Sequence, residues 1–211
     1  MIGTSVGLAC RRVGLDVILS DRSAEHVRTA SGLGAGRPRQ SEDRPQLVVV
    51  AVPPDHLGAA IRDALDTSGA TVTDVGSIKT EPLRVAAASP AVDRYVGSHP
   101  MAGSERSGPL AASAALFDGR PWAITPHDSS APQGVALVEE LARTCGGVPV
   151  RMTPEQHDHA VARGHGVLQR VQLLADLGQD AAEGVGVEAD DLLPEVGVAT
   201  GHPRHVAYAL A

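Results

Sequence analysis

The run PQLVVVAVPP, Pro45–Pro54, is the segment that most restricts the fold of this chain. All six residues of Leu47–Val52 are apolar, and four of them are valine, with prolines closing both ends. A strand with one face in water alternates apolar and polar residues, whereas an unbroken valine-rich run is typical of a strand buried on both faces of a parallel sheet. Parallel neighbours need long crossover connections, which are usually helices.

The rest of the chain supplies such crossovers. Residues 1–13 have helical spacing, Gly14 ends that helix, and Leu15–Asp21 predicts a short strand. Further along, helices and strands alternate at intervals of about ten residues. The predicted helices are His56–Leu65, Glu81–Ala88 and Gln133–Gly147, and the predicted strands are Gly69–Ser77, the segment before His99, Arg120–Pro126 and Val148–Thr153. We therefore expect a Rossmann-type, doubly wound α/β sheet over residues 1–150, followed by the start of a mainly helical domain over residues 151–211.

The first residues, MIGTSVGLACRR, resemble the end of the G-x-G-x-x-G turn that binds dinucleotides, with Gly3 as the last glycine. A glycine at a helix start is also common for capping alone. Asp21 ends the following strand 18 residues after Gly3, near the spacing of the acid that holds ribose hydroxyls. No strand precedes Gly3, so we expect the sheet to lack its first strand and the two hydrogen-bonded ladders that this strand makes. A truncated chain or a misassigned start is the corresponding hypothesis, and translation of the upstream nucleotides would test the misassigned start.

Composition excludes several classes of partner. The formal net charge is −7 and the chain has only four aromatic residues, so neither a phosphate-binding surface nor a base-stacking platform for nucleic acid is expected. No apolar run approaches the roughly 20 residues of a membrane span, and no signal peptide is recognisable. Cys10 and Cys145 lie far apart and suit free thiols in a reducing compartment, so we expect a cytoplasmic protein.

Five motifs in order give the chain a family resemblance. They are VVVAVPP, TDVGSIKTEP, GSHPMAGSERSGP, LFDGRPWAITP and MTPEQHDHAVA, which run from Val48 to Ala162. With the N-terminal turn, this pattern resembles the prephenate dehydrogenase family, which includes the arogenate and cyclohexadienyl dehydrogenases. The resemblance implies NAD(P)-dependent oxidative decarboxylation of prephenate or arogenate, with no metal. Asp21 favours NAD over NADP because a carboxylate repels a 2′-phosphate, although the adjacent Arg22 leaves pairing with a phosphate open.

The resemblance also implies roles for single residues. His99, in GSHPMAG, is the expected base for the ring hydroxyl, and an imidazole has a suitable pKa for that role. Ser77, in DVGS, is expected to orient the imidazole or the substrate hydroxyl, with a plain turn serine as the alternative. Lys79 is expected to bring positive charge to the cofactor or substrate, or else to be an exposed lysine after a turn. Val52 and Pro53 are expected to form a wall of the cofactor pocket, although proline also ends strands.

After Arg163 the chain departs from the family pattern. The family's helical domain supplies a second histidine, an arginine for the substrate carboxylate and a dimer interface, which implies a homodimer. Here His165 stands one place short of the expected histidine, and Arg170 and Arg204 are arginine candidates by residue type only. Val167–Leu177 predicts one helix. Two alternatives therefore stay open. One is an inactive remnant that binds cofactor or a partner. The other is another dehydrogenase, such as a hydroxyacid dehydrogenase, although those enzymes lack GSHPMAG beside DVGS-x-K.

Three histidines close in sequence, His157, His159 and His165, raise the possibility of a metal site. Their spacing is not a standard zinc pattern, so no metal is expected. The preceding TPEQ, with Thr153 before Pro154, instead predicts the start of a helix.

Overall fold

The computed structural model describes residues 1–102 and 108–163, together with the backbone of residues 205–210. Six helices and eight strands are described, and two short 3-10 turns lie at Val92–Arg94 and Pro109–Ala111. The helices are α1 (Ile2–Arg12), α2 (Ala24–Gly32), α3 (Pro54–Thr67), α4 (Thr80–Ala86), α5 (Pro132–Thr144) and α6 (Pro154–Ala162). The strands are β1 (Asp16–Ser20), β2 (Arg37–Pro38), β3 (Leu47–Ala51), β4 (Thr71–Asp74), β5 (Tyr95–Pro100), β6 (Pro121–Thr125), β7 (Val148–Arg151) and β8 (His205–Leu210).

All eight strands form one sheet in the order β2-β1-β8-β3-β4-β5-β6-β7. Strands from β2 to β5 are parallel, as the valine-rich run predicts, and β3 is buried between β8 and β4. One element differs from the expected parallel arrangement: β6 runs antiparallel to β5, and β7 then pairs parallel with β6. The fold class is a mixed α/β sheet of Rossmann type.

Helices cover both faces of this sheet. Side chains of α1, α2 and α5 form one core with Val17, Leu19 and Val49, while α3 and α4 form a second core with Val50 and Val72. Adjacent residues of β3 therefore point into different cores, and this explains why its sequence is apolar without alternation. A Cβ at Gly7 of α1 would lie 2.7 Å from the carbonyl oxygen of Ala35, so only glycine allows this close helix contact.

The position expected to be vacant in the sheet is filled. Strand β8 lies between β1 and β3 and pairs in parallel with both, from Asp16–His205 to Ser20–Ala209 and from Leu47–Val206 to Ala51–Leu210. Residues 205–210 therefore make the two hydrogen-bonded ladders that were expected to be missing from the sheet. These residues lie in the sheet and not in the helical part predicted for residues 151–211, and the domain boundary at residue 150 stays a prediction.

Besides β8, helix α2 and strand β2 are not predicted by the sequence patterns. Helix α2 begins where the Ser23 side chain accepts the backbone N–H of His26 at 3.3 Å, a capping signal that the sequence contains. Strand β2 lies in the glycine- and charge-rich stretch Ser31–Arg44, whose composition predicts an exposed loop. The helix expected at Val167–Leu177, and His165, Arg170 and Arg204, lie outside the described residues. No helix among those described has the length and apolar character needed to cross a membrane.

Candidate active site

The carboxyl ends of the parallel strands bring the predicted site residues to one edge of the sheet. Asp21 follows β1, Val52 and Pro53 follow β3, Ser77 follows β4, and His99 lies near the end of β5. In open parallel sheets, ligands bind at this edge. None of the predicted site residues lines a cavity of about 700 Å³ that lies between β1, β3, the loop before β3 and α3. Its lining residues are 18, 20, 39, 43–45, 48, 60, 63, 64 and 67–69.

His99 is half-buried and faces a second histidine. Its Nδ1 lies 2.9 Å from Nε2 of His157, and the two rings meet edge to face with centroids 5.2 Å apart. Burial, the positive charge of Lys79 and the neighbouring His157 together lower the pKa of His99 to about 3, although Asp158 opposes the shift. His99 is therefore neutral at pH 7 and able to accept a proton.

Helix α6 delivers His157 to this position. A capping box starts the helix: the Thr153 side chain accepts the backbone N–H of Gln156, and the Gln156 side chain accepts that of Thr153. His157 follows in the first turn and is fully buried. Its Nδ1 lies 2.8 Å from Oδ1 of Asp158, and burial lowers the pKa of His157.

Asp158 links α6 to the loop before α4. Its Oδ1 accepts the backbone N–H of Lys79 at 2.9 Å, and its Oδ2 accepts the backbone N–H and the hydroxyl of Thr80 at 2.9 and 2.6 Å. Burial opposes ionisation, but the hydrogen bonds from Thr80, His157 and Lys79 outweigh it and lower the pKa of Asp158 to about 2. Asp158 is therefore a carboxylate that caps the start of α4.

Lys79 points into the protein. Its side chain is 1% exposed and its Nζ pairs with the fully buried Asp74, whose other oxygen accepts the Tyr95 hydroxyl at 2.7 Å. The alternative of an exposed lysine is wrong, because this ion pair holds the side chain inside. Burial lowers the pKa of Lys79, and the charge and hydrogen bond of Asp74 oppose that shift. The predicted role of Lys79 at the cofactor or substrate stays a prediction.

Ser98 fixes the strand that carries His99. Its hydroxyl donates to the carbonyl oxygen of Asp74 at 2.7 Å and accepts from Thr73 at 3.2 Å and from the Trp122 indole at 3.1 Å. A Cβ on the neighbouring Gly97 would lie 2.5 Å from Oγ1 of Thr125, so this strand approaches its neighbours too closely for a side chain. The end of β5 is thus held rigidly by buried hydrogen bonds.

Ser77 lies exposed in the turn that Asp74 stabilises by accepting the backbone N–H of Gly76 at 2.8 Å. Within the described part of the chain, no hydrogen bond joins Ser77 to His99, so its predicted orienting role stays a prediction. The loop that follows β5 contains residues 103–107, which include Gly103 and lie outside the described residues. Gly108 has φ of 83°, in the left-handed region that favours glycine.

Asp21 presents a buried acceptor that makes no hydrogen bond within the described part of the chain. Its Oδ1 accepts the backbone N–H of Ser23 at 2.7 Å, while its buried Oδ2 lies 3.4 Å from Nδ1 of His26, at ion-pair distance. The Asp21 side chain is only 1% exposed, and the adjacent Arg22 is exposed. An unsatisfied buried carboxylate oxygen is costly unless a ligand supplies the donor. A ribose hydroxyl is such a donor, so the residue fits a dinucleotide.

The other predicted cofactor residues frame the same edge. Gly3 lies buried in the first turn of α1. Val52 packs against the core formed with α3, and Pro53 is the exposed residue that precedes α3. The role of Val52 and Pro53 as a pocket wall, and the contacts of all three residues with a cofactor, stay predictions.

The comparison with protein families matches this geometry. Residues 6–151 match the family model described as prephenate dehydrogenase, nucleotide-binding domain. The chain belongs to this family.

Relatives give the same result. A protein named probable prephenate dehydrogenase NovF of Streptomyces niveus is 40% identical over 166 residues, which cover 78% of this chain and 46% of that protein. A cyclohexadienyl dehydrogenase of Zymomonas mobilis is 32% identical, with 77% of this chain and 58% of that protein covered. The chain therefore spans about half the length of the curated relatives it matches.

A solved structure supports the same family assignment. The crystal structure of prephenate dehydrogenase from A. aeolicus, in complex with hydroxyphenyl propionate and NAD+, superimposes with a TM-score of 0.69 at 27% identity. The match covers 75% of this chain and 58% of that one.

Sequence reasoning missed the partners of His99. The sequence presents His157 as a possible metal ligand, His157 and Asp158 as part of the motif MTPEQHDHAVA, and Asp74 and Tyr95 as parts of strands. Within residues 1–102 and 108–163, no group of three His, Cys, Asp or Glu side chains is placed to hold a metal ion. One signal in the sequence could have identified His157 and Asp158. They form an HD dipeptide one turn after a capping box, where one face of the helix meets the sheet.

Proposed function

We propose that this chain is the nucleotide-binding part of an NAD-dependent dehydrogenase that oxidatively decarboxylates prephenate to 4-hydroxyphenylpyruvate, a precursor of tyrosine. The observation that carries the proposal is the neutral, half-buried His99 on the same sheet edge as the buried Oδ2 of Asp21, which makes no hydrogen bond among the described residues. A proton acceptor and a ribose acceptor on one edge suit oxidation of a hydroxyl by a bound dinucleotide.

The cofactor site follows from the edge residues. Oδ2 of Asp21 would accept a ribose hydroxyl, and its negative charge disfavours a 2′-phosphate, so NAD is proposed over NADP. Arg22 is exposed beside it and is the residue that would oppose this preference. Gly3 and the amino end of α1 would face the pyrophosphate, with Val52 and Pro53 beside the dinucleotide. When bound, the nicotinamide supplies the two-electron acceptor.

The residues of the chain supply proton transfer and orientation. His99 would take the proton of the ring hydroxyl as the ring carbon is oxidised, and Ser77 would orient that hydroxyl or the imidazole. The buried charge of Lys79 lies close enough to lower the pKa of His99. Loss of carbon dioxide from the oxidised ring produces an aromatic ring, so this step needs no further acid or metal.

Arogenate is the second substrate to consider, because one relative is named a cyclohexadienyl dehydrogenase. Prephenate and arogenate differ only in the side chain. An arginine that binds the substrate carboxylate would contribute to the recognition of that side chain. The candidates Arg170 and Arg204 lie outside the described residues. A homodimer, a cytoplasmic location and the absence of nucleic-acid or membrane partners belong to the same proposal.

The test is NADH formation, followed by absorbance, with prephenate and with arogenate as separate substrates. We expect turnover with prephenate that depends on NAD. Titration of NADH followed by its fluorescence distinguishes the alternative of a cofactor-binding module without activity, which would bind NADH and turn over neither substrate. Turnover of a simple hydroxyacid in place of both substrates would contradict the proposal.

A further inference from the structure

A continuous line of polar groups runs from His99 through His157 to Asp158. We propose that His157 and Asp158 are positioning residues that fix the neutral His99 imidazole with its hydrogen on Nδ1 and its free electron pair on Nε2. The inference rests on the function proposed above, in which His99 accepts the substrate proton.

The line begins at Asp158, which has only acceptors to offer. Its two oxygens accept from the Lys79 N–H, the Thr80 N–H and the Thr80 hydroxyl at 2.9, 2.9 and 2.6 Å. A carboxylate held by three donors stays ionised and cannot donate a hydrogen. Whatever nitrogen faces Asp158 must therefore carry a hydrogen.

His157 is that neighbour. Its Nδ1 lies 2.8 Å from Oδ1 of Asp158, so Nδ1 is protonated. The His157 side chain is fully buried, and it has the positive charge of Lys79 nearby, so the ring is neutral. A neutral imidazole with hydrogen on Nδ1 has an electron pair on Nε2.

The tautomer of His99 follows from that electron pair. Its Nδ1 lies 2.9 Å from Nε2 of His157, and one hydrogen must lie between these two nitrogens. Since His157 Nε2 has none, His99 Nδ1 donates. Nε2 of His99 is then left as an acceptor, in the protonation state that removal of a hydroxyl proton needs.

The same line stabilises His99 after it has accepted the proton. The proton moves from the substrate hydroxyl to Nε2, and the Nδ1–H bond to His157 remains in place. Asp158 counters the added charge through His157, because its negative charge favours protonated His99. This compensation matters because burial and Lys79 both disfavour the charged imidazole.

The experiment uses the full chain labelled with ¹⁵N-histidine. Long-range ¹H–¹⁵N spectra at pH 7.5 distinguish protonated from unprotonated ring nitrogens, and the spectra of His99→Gln and His157→Gln assign the signals among the nine histidines. We expect a protonated Nδ1 and an unprotonated Nε2 in both rings. If His99 of the unmodified chain carries its hydrogen on Nε2, that result overturns the proposal, whether or not the chain turns over prephenate.

Asp158→Asn tests the direction of the two hydrogen bonds that run from His99 through His157 to Asp158. Its amide can donate to His157 Nδ1, which would reverse both hydrogen bonds and put the His99 hydrogen on Nε2. We expect that reversal in the spectrum, together with a loss of kcat of about 10²-fold or more and little change in KM. Asp63→Asn makes the same charge change on exposed residue 63 of α3 and should leave the His99 signals unchanged.

A second pair of variants covers the case in which Asp158→Asn does not fold. His157→Leu removes the acceptor and should lower kcat, whereas His157→Gln keeps an amide oxygen that can accept from His99 and should restore part of it. Equal kcat for these two variants, or an unchanged His99 tautomer in folded Asp158→Asn, contradicts a positioning role. Absence of turnover in the unmodified chain, with the expected tautomers present, contradicts the proposed function alone.

Discussion

The backbone N–H of Lys79 donates to Asp158 while the Lys79 side chain pairs with Asp74, so one residue connects helix α6 to the buried end of β4. The contact with Asp158 spans 79 positions of the sequence, whereas Asp74 lies only 5 positions before Lys79. The two contacts also place the charged amine of Lys79 near two neutral histidines, His99 and His157. The position of His157 opposite His99 therefore depends on the loop that Lys79 anchors.

Lys79→Met should destabilise the protein strongly. Among the described residues, the substitution leaves the buried Asp74 carboxylate with the Tyr95 hydroxyl and the Gly76 N–H as donors, and breaking a buried ion pair costs about 3–5 kcal/mol. Urea unfolding measures this loss. The double variant Lys79→Met/Asp74→Asn should recover much of the stability, because it removes the unpaired charge. Equal stability of the single variant and the unmodified chain would show that the ion pair contributes nothing.

Stability should fall as the pH drops below about 6.5. The folded pKa of His99 is about 3, below the ordinary 6.5, so between these values the unfolded chain binds a proton that the folded chain does not. The contribution is fully present above pH 6.5 and is lost towards pH 3. His157 acts in the same direction, since burial lowers its pKa too, and Asp158 adds a loss only below its ordinary pKa of 3.8.

The effect of His99 alone at pH 5 is about 2 kcal/mol, since the difference between 6.5 and 5 is roughly 1.5 pKa units. Urea unfolding at pH 7.5 and pH 5 measures it. Between pH 7.5 and pH 5, His99→Gln should lose less free energy of unfolding than the unmodified chain. His56→Gln, on the exposed start of α3, should lose as much as the unmodified chain. The same pH dependence in His99→Gln and the unmodified chain would assign the effect to other groups.

The sheet and its functional edge were predictable because they depend on local patterns. Continuous apolar runs identified β1 and β3, glycines and prolines marked their ends, and Asp21 was found by its spacing from Gly3. These signals lie within a few residues of each element, and the order of strands then brings their ends together.

Features that depend on distant partners were not predictable. Lys79 was expected at the surface as one alternative, and only the packing of Asp74 and Tyr95 around it explains its burial. His157 meets His99 across 58 positions of sequence, and no local pattern encodes that distance. The antiparallel β6 and the placement of β8 between β1 and β3 likewise follow from tertiary pairing.

His99→Asn should separate chemistry from cofactor binding. Removing the proton acceptor should lower kcat for prephenate by about 10²- to 10⁴-fold, because general base catalysis contributes a factor of that size. The NADH dissociation constant, measured by fluorescence titration, should stay unchanged. Turnover equal to that of the unmodified chain would refute the assignment of His99 as the base.

Asp21→Asn should weaken NADH binding by about 10- to 100-fold, because a hydrogen bond to a charged acceptor contributes about 1.5–3 kcal/mol. NADPH binding should fall less, since the repulsion of the 2′-phosphate is removed with the charge. Fluorescence titration with both dinucleotides gives the ratio. Asp128→Asn, an equal charge change on the exposed loop after β6, serves as the control and should leave both affinities unaltered.

Ala207→Pro should reveal whether β8 is needed for the sheet. Residue 207 pairs with Ile18 of β1 and Val48 of β3, in the centre of the strand. Proline lacks the N–H that a ladder requires and is not tolerated in a central strand, so we expect a loss of about 3 kcal/mol or more in urea unfolding. Ala207→Gly keeps the N–H and should cost no more than about 1 kcal/mol. If both variants unfold at the same urea concentration as the unmodified chain, residues 205–210 do not hold β1 and β3 together in solution.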